Sequence, residues 1–361
     1  MIHVFIGTKA QLIKMAPIMR ELQHRNIEYN FIFSGQHQDT IKDLRENFGI
    51  KAPDVILHKG KDITGILQML GWLIKIFLVV LLNKNAVWKK DRKGVVLNHG
   101  DTFSTLAGTL LARIHGHKSA HIESGLRSFN YFHPFPEELT RISVFLFSNY
   151  YFCPNEWAHS NIQKYSGTKI ITGGNTLYDA LQVIKKTPPD IDLKIPTEKF
   201  AIASFHRFEN IFNAKSLERL VNIIEKAAKS ISIILIAHKP TIKKLEEFNL
   251  LNIIKQNPNI EIRPRYDYAN FIRLVLKSEV VLTDGGSNQE ECFYLGKPCL
   301  ILRNATERNE GIHENAVLSK YDANIIREFI GNYEKFKRPE VVISPSPTEI
   351  IVDYLISNFS R

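Results

Sequence analysis

Five short strings in this sequence carry residues that could move protons or hold an anion, and each follows an apolar run. The first is Gly7-Thr-Lys-Ala-Gln-Leu-Ile-Lys14. A glycine turn at a helix start offers backbone N–H groups to an anion, and Lys9 and Lys14 add positive charge. It matches neither a Walker A loop nor G-x-G-x-x-G, and an ordinary βα turn with solvated lysines is the competing reading. The second, His99-Gly-Asp-Thr-Phe-Ser104, sets a carboxylate directly after a strand, although Asp101 or Thr102 could equally cap a helix. The third is His121-Ile-Glu-Ser-Gly-Leu-Arg127, followed by Phe135-Pro-Glu-Glu-Leu-Thr-Arg141. It gathers three carboxylates and two arginines, and the i,i+4 spacing of Glu137 and Arg141 predicts a shared helix face. A surface salt bridge would explain it too, but Glu123 ends an apolar strand, where an unpaired charge is expensive.

The fourth string is Ser204-Phe-His-Arg-Phe-Glu-Asn210. His206 is a candidate general acid or base and Arg207 a candidate phosphate or oxyanion contact. A structural histidine satisfied by its neighbours is the alternative. The fifth is Asp284-Gly-Gly-Ser-Asn-Gln-Glu-Glu291, then Gly296-Lys-Pro298 and Thr306-Glu-Arg308. Gly285, Gly286 and Ser287 at a helix start let the backbone approach a diphosphate. A carboxylate one turn into that helix can reach a pair of ribose hydroxyls.

The elements that must position these strings alternate strongly. Apolar runs at 2–6, 29–33, 95–98, 119–122, 150–152 and 169–171 read as strands, with helical periodicity between them at 12–22 and 103–114. Unalternated apolar strands separated by helices predict a parallel sheet buried on both faces. The proline-rich stretch 187–196 interrupts the rhythm as a linker. It then restarts, with strands at 200–204, 231–237, 260–263, 280–283 and 298–302 and helices at 214–229, 241–250, 268–276 and 348–357. The expected fold is α/β: two doubly wound, Rossmann-like parallel-sheet domains facing a cleft, with ligands beyond the carboxyl ends of the strands. The boundaries expected are 1–172 and 173–345, with a terminal helix at 346–361 packing back on the first domain.

With 361 residues, 44% apolar and 23% charged, the chain can build large cores, which excludes disorder as a dominant state. Cys153, Cys292 and Cys299 are too few for a disulfide scaffold and read as buried thiols of a reducing compartment. The first residues read as a strand and not as a signal peptide, so a cytoplasmic location is expected. A net charge of +10 favours nucleic acid, an anionic membrane or phosphorylated ligands. No aromatic-basic platform motif accompanies it, so nucleic acid is not expected as a partner.

Taken in order, the strings resemble the non-hydrolysing UDP-N-acetylglucosamine 2-epimerases, a family of two-domain glycosyltransferase-B architecture. The matching residues are Ile13-Lys-Met-Ala-Pro17, His99-Gly-Asp-Thr102, Glu123-Ser-Gly-Leu-Arg127, Pro136-Glu-Glu-Leu-Thr-Arg141, Gly174-Asn-Thr176 with Asp179-Ala-Leu, His206-Arg207, and Gln289-Glu-Glu291 with Leu295-Gly-Lys-Pro298. The resemblance implies an isomerase that inverts C2 of a UDP-N-acetylhexosamine by eliminating and re-adding UDP, supplying surface polysaccharide synthesis. It implies that Asp101, Glu123 and Glu137 are acid/base carboxylates and that His206 serves the UDP phosphate or leaving oxygen. Lys14, Arg141, Gly286, Ser287 and Arg308 would be diphosphate or active-site polar contacts and Glu291 the ribose contact. No metal or redox cofactor is called for, and a homodimer is implied.

Three strings depart from the family pattern. Gly-Thr-Arg-Pro-Glu becomes Gly7-Thr-Lys-Ala-Gln11, Asp-Ser-Gly-Gly becomes Asp284-Gly-Gly-Ser287, and Thr-Glu-Arg-Pro-Glu becomes Thr306-Glu-Arg-Asn-Glu310. All fall in the presumed nucleotide pocket, and they imply altered sugar or phosphate contacts. One further segment fits no string. Residues 66–82 are apolar around most of a helix, with Gln68, Gly71 and Lys75 on one stripe, and Lys84, Trp88, Lys89, Lys90, Arg92 and Lys93 follow. Two readings stand: a helix buried between the sheet and a dimer partner, or an interfacial helix with 66–93 on an anionic membrane. The second would make the protein peripheral at the inner face of the membrane. It also supports an alternative function, a glycosyltransferase using a UDP-sugar-like donor and a lipid-linked or glycan acceptor.

Overall fold

The structure, a computed structural model, describes residues 1–37, 41–60, 62–63, 65–131, 136–188, 192–306 and 308–359. Phe135, Glu307 and the middle of the expected linker, 189–191, lie outside the described residues. The chain divides into two compact units, Met1–Val183 with Ile343–Arg361, and Ile184–Val342.

The first unit holds a seven-stranded sheet: β1 (Ile2–Ile6), β2 (Tyr29–Phe33), β3 (Val55–Ile56), β4 (Val95–His99), β5 (Lys118–Ile122), β6 (Tyr150–Cys153) and β7 (Thr168–Ile171). All pairings are parallel and the spatial order is β3-β2-β1-β4-β5-β6-β7. The second unit holds β8 (Phe200–Ser204), β9 (Ser232–Ala237), β10 (Ile260–Pro264), β11 (Val280–Thr283), β12 (Cys299–Ile301) and β13 (Ala316–Leu318) in the order β10-β9-β8-β11-β12-β13. Both orders reverse after the first strand, at β1/β4 and β8/β11. That is the doubly wound topology the apolar runs predict, and its reversal opens a crevice at the strands' carboxyl ends.

The strands form because runs of Ile, Val and Phe can be buried on both faces. β1, β2, β4 and β8 are buried throughout. Short β3 and β13 escaped the sequence reading because two or three residues carry no usable periodicity. Side-chain caps start the intervening helices: Thr8 accepts from the Gln11 N–H, Thr102 from Thr105, Asn213 from Ser216 and Asp267 from Asn270. The terminal helix Pro347–Phe359 belongs to the first unit, where Asp353 pairs with Arg25 at 2.5 Å.

Helix Ile66–Leu82 is two-sided. Trp72, Ile76 and Val80 are buried in one cluster with Phe5, Ile32, Val96 and Leu111. The outward line Leu67, Leu70, Ile74, Leu78, Leu81 and Leu82 is between 48% and 84% exposed. No helix among the described residues is long and apolar enough to cross a membrane.

Candidate active site

In the first unit the site residues cluster where β4 and β5 end. Gly100, in the left-handed region at φ 70°, turns the chain out of β4 and delivers Asp101. Glu123 follows β5 with φ 62°, a conformation that costs a non-glycine residue free energy and is found where a side chain must be aimed. Its carboxylate is nearly enclosed. Oε1 accepts from Lys14 Nζ at 2.5 Å and from Asn175 Nδ2, and Oε2 lies 3.8 Å from His99 Nδ1. A Cβ at Gly100 would stand 3.4 Å from Glu123 Oε2, so the two turns abut. His121 braces them, with Nε2 donating to the Gly100 carbonyl at 2.8 Å and Nδ1 accepting from Ser124 Oγ at 2.9 Å. Burial pushes the His121 imidazole down to about 4, so it is a neutral strut at physiological pH.

A second network anchors Asp101. Arg141 Nη2 donates to Asp101 Oδ2 at 2.6 Å, while Arg141 Nη1 donates to Glu138 Oε2 at 3.3 Å. Fully buried Glu138 also accepts from Arg127 Nε at 2.5 Å and from the Ser128 N–H at 3.0 Å. Burial opposes ionisation of Glu138, but the Ser128 N–H and the two guanidinium groups outweigh it and hold the carboxyl below its ordinary range. Burial likewise works against the Arg141 charge, and Asp101 overcomes it, so the guanidinium titrates above its usual value.

Two expectations for this region change. The i,i+4 partner expected for Arg141 was Glu137, but its guanidinium binds Glu138, at i,i+3, and Asp101. Residue 138 faces inward on helix Glu137–Phe147, and Glu137 is half-buried with an enclosed Oε2 that has no hydrogen-bond partner among the described residues. No described contact joins Glu137 to Asp101 or Glu123. The Gly7 turn also differs from an anion cradle. Its Gly7 and Thr8 N–H groups donate to Gln11 Oε1 at 2.9 and 3.0 Å, and Gln11 Nε2 donates to the His99 carbonyl and Thr105 Oγ1, each at 2.9 Å. Gln11 thus closes the turn and ties it to the end of β4. Lys9 opens the following helix, half-buried, and Lys14 is buried against Glu123.

In the second unit the site residues gather where β8 and β11 end. Asp284 is fully buried. It accepts from the backbone N–H of His206 at 3.1 Å, the N–H of Arg207 at 3.0 Å and Asn210 Nδ2 at 2.8 Å. The His206 ring stays exposed and stacks on His238, with centroids 5.0 Å apart. Arg207 Nη1 donates to Glu209 Oε1 at 3.1 Å. The glycine turn after β11 leads into helix Gly286–Tyr294. Ser287 is exposed on its first turn, and Gly286 is partly so.

The displaced serine has a physical account. A Cβ at Gly285 would meet Asn288 Oδ1 at 2.6 Å. That Asn288 accepts from Thr283 Oγ1 at 3.0 Å and donates to Glu291 Oε2 at 2.8 Å, so a side chain at 285 would disturb the brace on Glu291. Glu291 itself is buried. Arg308 forms an ion pair with buried Glu290 at 2.6 Å. Gln289 Nε2 donates to the Arg308 and Glu310 carbonyls at 3.1 and 2.8 Å, fastening that loop to the helix.

Sequence reasoning missed Asn175, Glu138, Gln11, Asp284 and Glu290 as positioning groups. Each stands inside or beside a recognised string, and what spacing lacked was the identity of the partner across the fold.

A family model described as UDP-N-acetylglucosamine 2-epimerase matches residues 20–339. The UDP-N-acetylglucosamine 2-epimerase of Methanocaldococcus jannaschii is 34% identical over 332 residues, covering 87% of each chain. That of Neisseria meningitidis is 30% identical, covering 98% of each. Among solved structures, the M. jannaschii enzyme in complex with UDP-GlcNAc and UDP superposes with a TM-score of 0.80 at 29% identity, covering 99% of both chains. The N. meningitidis enzyme bound to UDP-GlcNAc gives 0.78 at 28%, covering 99% of this chain and all of that one. The kitacinnamycin glycotransferase, at 0.53 and 13%, shares the fold alone.

Proposed function

The chain belongs to the UDP-N-acetylglucosamine 2-epimerase family, and from that membership we propose that it interconverts UDP-GlcNAc and UDP-ManNAc. The reaction eliminates UDP and adds it back on the other face, which requires a base at C2, an acid opposite, and cations and N–H donors for the departing diphosphate. Asp101, Glu123 and Glu137 are assigned to proton transfer. His206, Arg207, Gly285, Gly286, Ser287 and Arg308 are assigned to UDP and its leaving oxygen, and Glu291 to the ribose. Lys14 and Arg141 act first on their carboxylate partners, orienting Glu123 and Asp101. Lys9 adds charge at the same strand end.

The observation that carries this reading is Glu123, a carboxylate held in a strained left-handed conformation at the end of β5 and gripped by Lys14 and Asn175. A purely structural ion pair would not call for backbone strain. Incubation with UDP-GlcNAc in D₂O tests it: deuterium at C2 and formation of UDP-ManNAc are expected. Absence of both overturns it, and free ManNAc with UDP would reveal a hydrolysing enzyme instead. The transferase alternative loses ground, because the matches named as epimerases are the more similar in sequence.

The partner expected besides the UDP-sugar is a second copy, seated on the outward leucines of helix Ile66–Leu82. One charge of the basic flank is already paired, Lys89 with Asp54 at 2.9 Å, which weakens the membrane reading. Light scattering should find dimers that Leu70→Glu with Ile74→Glu converts to monomers. Binding of a monomeric protein to anionic vesicles would assign the face to lipid.

A further inference from the structure

At the opposite end of the first sheet, where β1, β4 and β5 begin, three potential ligands converge. His3 lies in β1, Asp91 four residues before β4, and His117 immediately before β5. β4 stands between β1 and β5, so the topology gathers positions 3, 91 and 117. One donor atom from each lies within 4.8 Å of the others. His3 Nε2 is 3.1 Å from Asp91 Oδ2, and the two imidazoles are 5.0 Å apart. Trp88 covers both rings, at 5.1 Å from His3 and 4.6 Å from His117. Asp91 Oδ1 accepts from the Arg92 and Lys93 N–H groups at 2.7 and 3.2 Å, which fixes the carboxylate, and the Met1 amino nitrogen lies 3.3 Å from Oδ2.

A second observation points to a ligand. His117 is 2% exposed, and both its ring nitrogens are buried without a hydrogen-bond partner among the described residues. Buried polar atoms are normally paired, and an imidazole that gives up both bonds to water for none is costly. A cation at the centre of the cluster would take the lone pair of one nitrogen.

We propose that His3, Asp91 and His117 form a site for a divalent transition-metal ion of the zinc class, clamping the beginnings of three adjacent strands. Two imidazoles and one carboxylate suit zinc, cobalt or nickel, whereas magnesium and calcium require oxygen ligands. Donors about 2.1 Å from a tetrahedral ion stand about 3.4 Å from each other, so a small rotation of His117 closes the present spacing. Ligation through His3 Nε2 moves the ring proton to Nδ1. The Asn30 carboxamide, whose Nδ2 now faces Nδ1 at 2.9 Å, then turns to present Oδ1, an atom without a partner among the described residues. That turn gives up the Asn30 bond to the Val87 carbonyl.

The test uses the untagged full chain, stripped with chelator and titrated with Co²⁺ as the spectroscopic probe. One Co²⁺ per chain is expected, with the intense visible bands of a low-coordinate site, displaced by Zn²⁺. His117→Gln and Asp91→Asn should each weaken Co²⁺ binding by about 100-fold or more, at or beyond the range for losing an outer-shell partner. C2 deuterium exchange should be unchanged in both. Failure of the wild type to bind stoichiometric Co²⁺, or retention of the wild-type affinity by both variants, overturns the proposal. Should His117→Gln not fold, the wild type still decides: its melting temperature should rise with Zn²⁺ and not with Mg²⁺, and no difference between the two ions counts against the site.

Discussion

The strand ends of the two units use carboxylates differently. In the first unit Asp101, Glu123 and Glu138 are held largely by cations: Arg141, Lys14 and Arg127. In the second, Asp284 is held by the backbone N–H groups of His206 and Arg207 and by the Asn210 amide. A side-chain cation orients a carboxylate without enclosing it in backbone donors, which suits acid/base work. Backbone donors instead convert the carboxylate into a rivet. Asp284 fixes the path of the His206-Arg207 loop, and the His206 ring stands beside it, with Nδ1 3.6 Å from Asp284 Oδ1. The first region is organised around charge on side chains, and the second around the shape of loops.

Variants can break or sharpen this contrast. The largest effect is expected from Glu123→Gln, which keeps the shape and removes the charge. Turnover should fall about 10²- to 10⁴-fold, read by C2 deuterium exchange, with UDP-GlcNAc binding little changed. Glu138→Gln leaves Arg127 with a neutral partner and Arg141 with Asp101 as its remaining carboxylate. We expect a loss of about 3–5 kcal/mol in urea unfolding, because breaking a buried ion network strands a cation.

Asp179 sharpens the role of partner charge. It lies in the first unit but is bonded to neutral donors, the Thr348 N–H at 3.0 Å and Oγ1 at 2.8 Å. Burial raises it to about 6, against the pull of those bonds, while cation-held Glu138 moves down. The folded protein therefore favours the protonated acid. That contribution is complete below about pH 4 and disappears as pH rises through 6. Relative to wild type, Asp179→Asn should gain up to about 3 kcal/mol in unfolding free energy between pH 4 and 7. A flat difference across that range would show that the partners' charge does not set the direction. Asp284→Asn is expected to be mildest, at about 1–3 kcal/mol, since one acceptor oxygen remains for three donors. It should raise KM for UDP-GlcNAc more than it lowers kcat. The reverse pattern would place Asp284 with the proton-handling group.

Much of this was legible in the chain itself. Apolar runs between helical periods foretold both sheets, because strands buried on both faces must be apolar throughout and few other elements read that way. The ordered strings identified the turns, since chemistry in doubly wound sheets concentrates after strands. Sequence also distinguished the departures at Gln11 and Gly285, though not their consequences.

Partnership was decided only by the tertiary structure. Glu137 and Glu138 are adjacent and chemically alike, and helix phase alone buries residue 138 against Arg127 and Arg141. Asn175 reaches Glu123 across 52 positions, and Asp284 reaches His206 across 78. His3, Asp91 and His117 meet because β4 is inserted between β1 and β5. Local composition determines which segments must be buried, through the free energy of removing apolar surface from water. Which charged groups then meet depends on strand order and helix rotation, which are properties of the whole packed sheet.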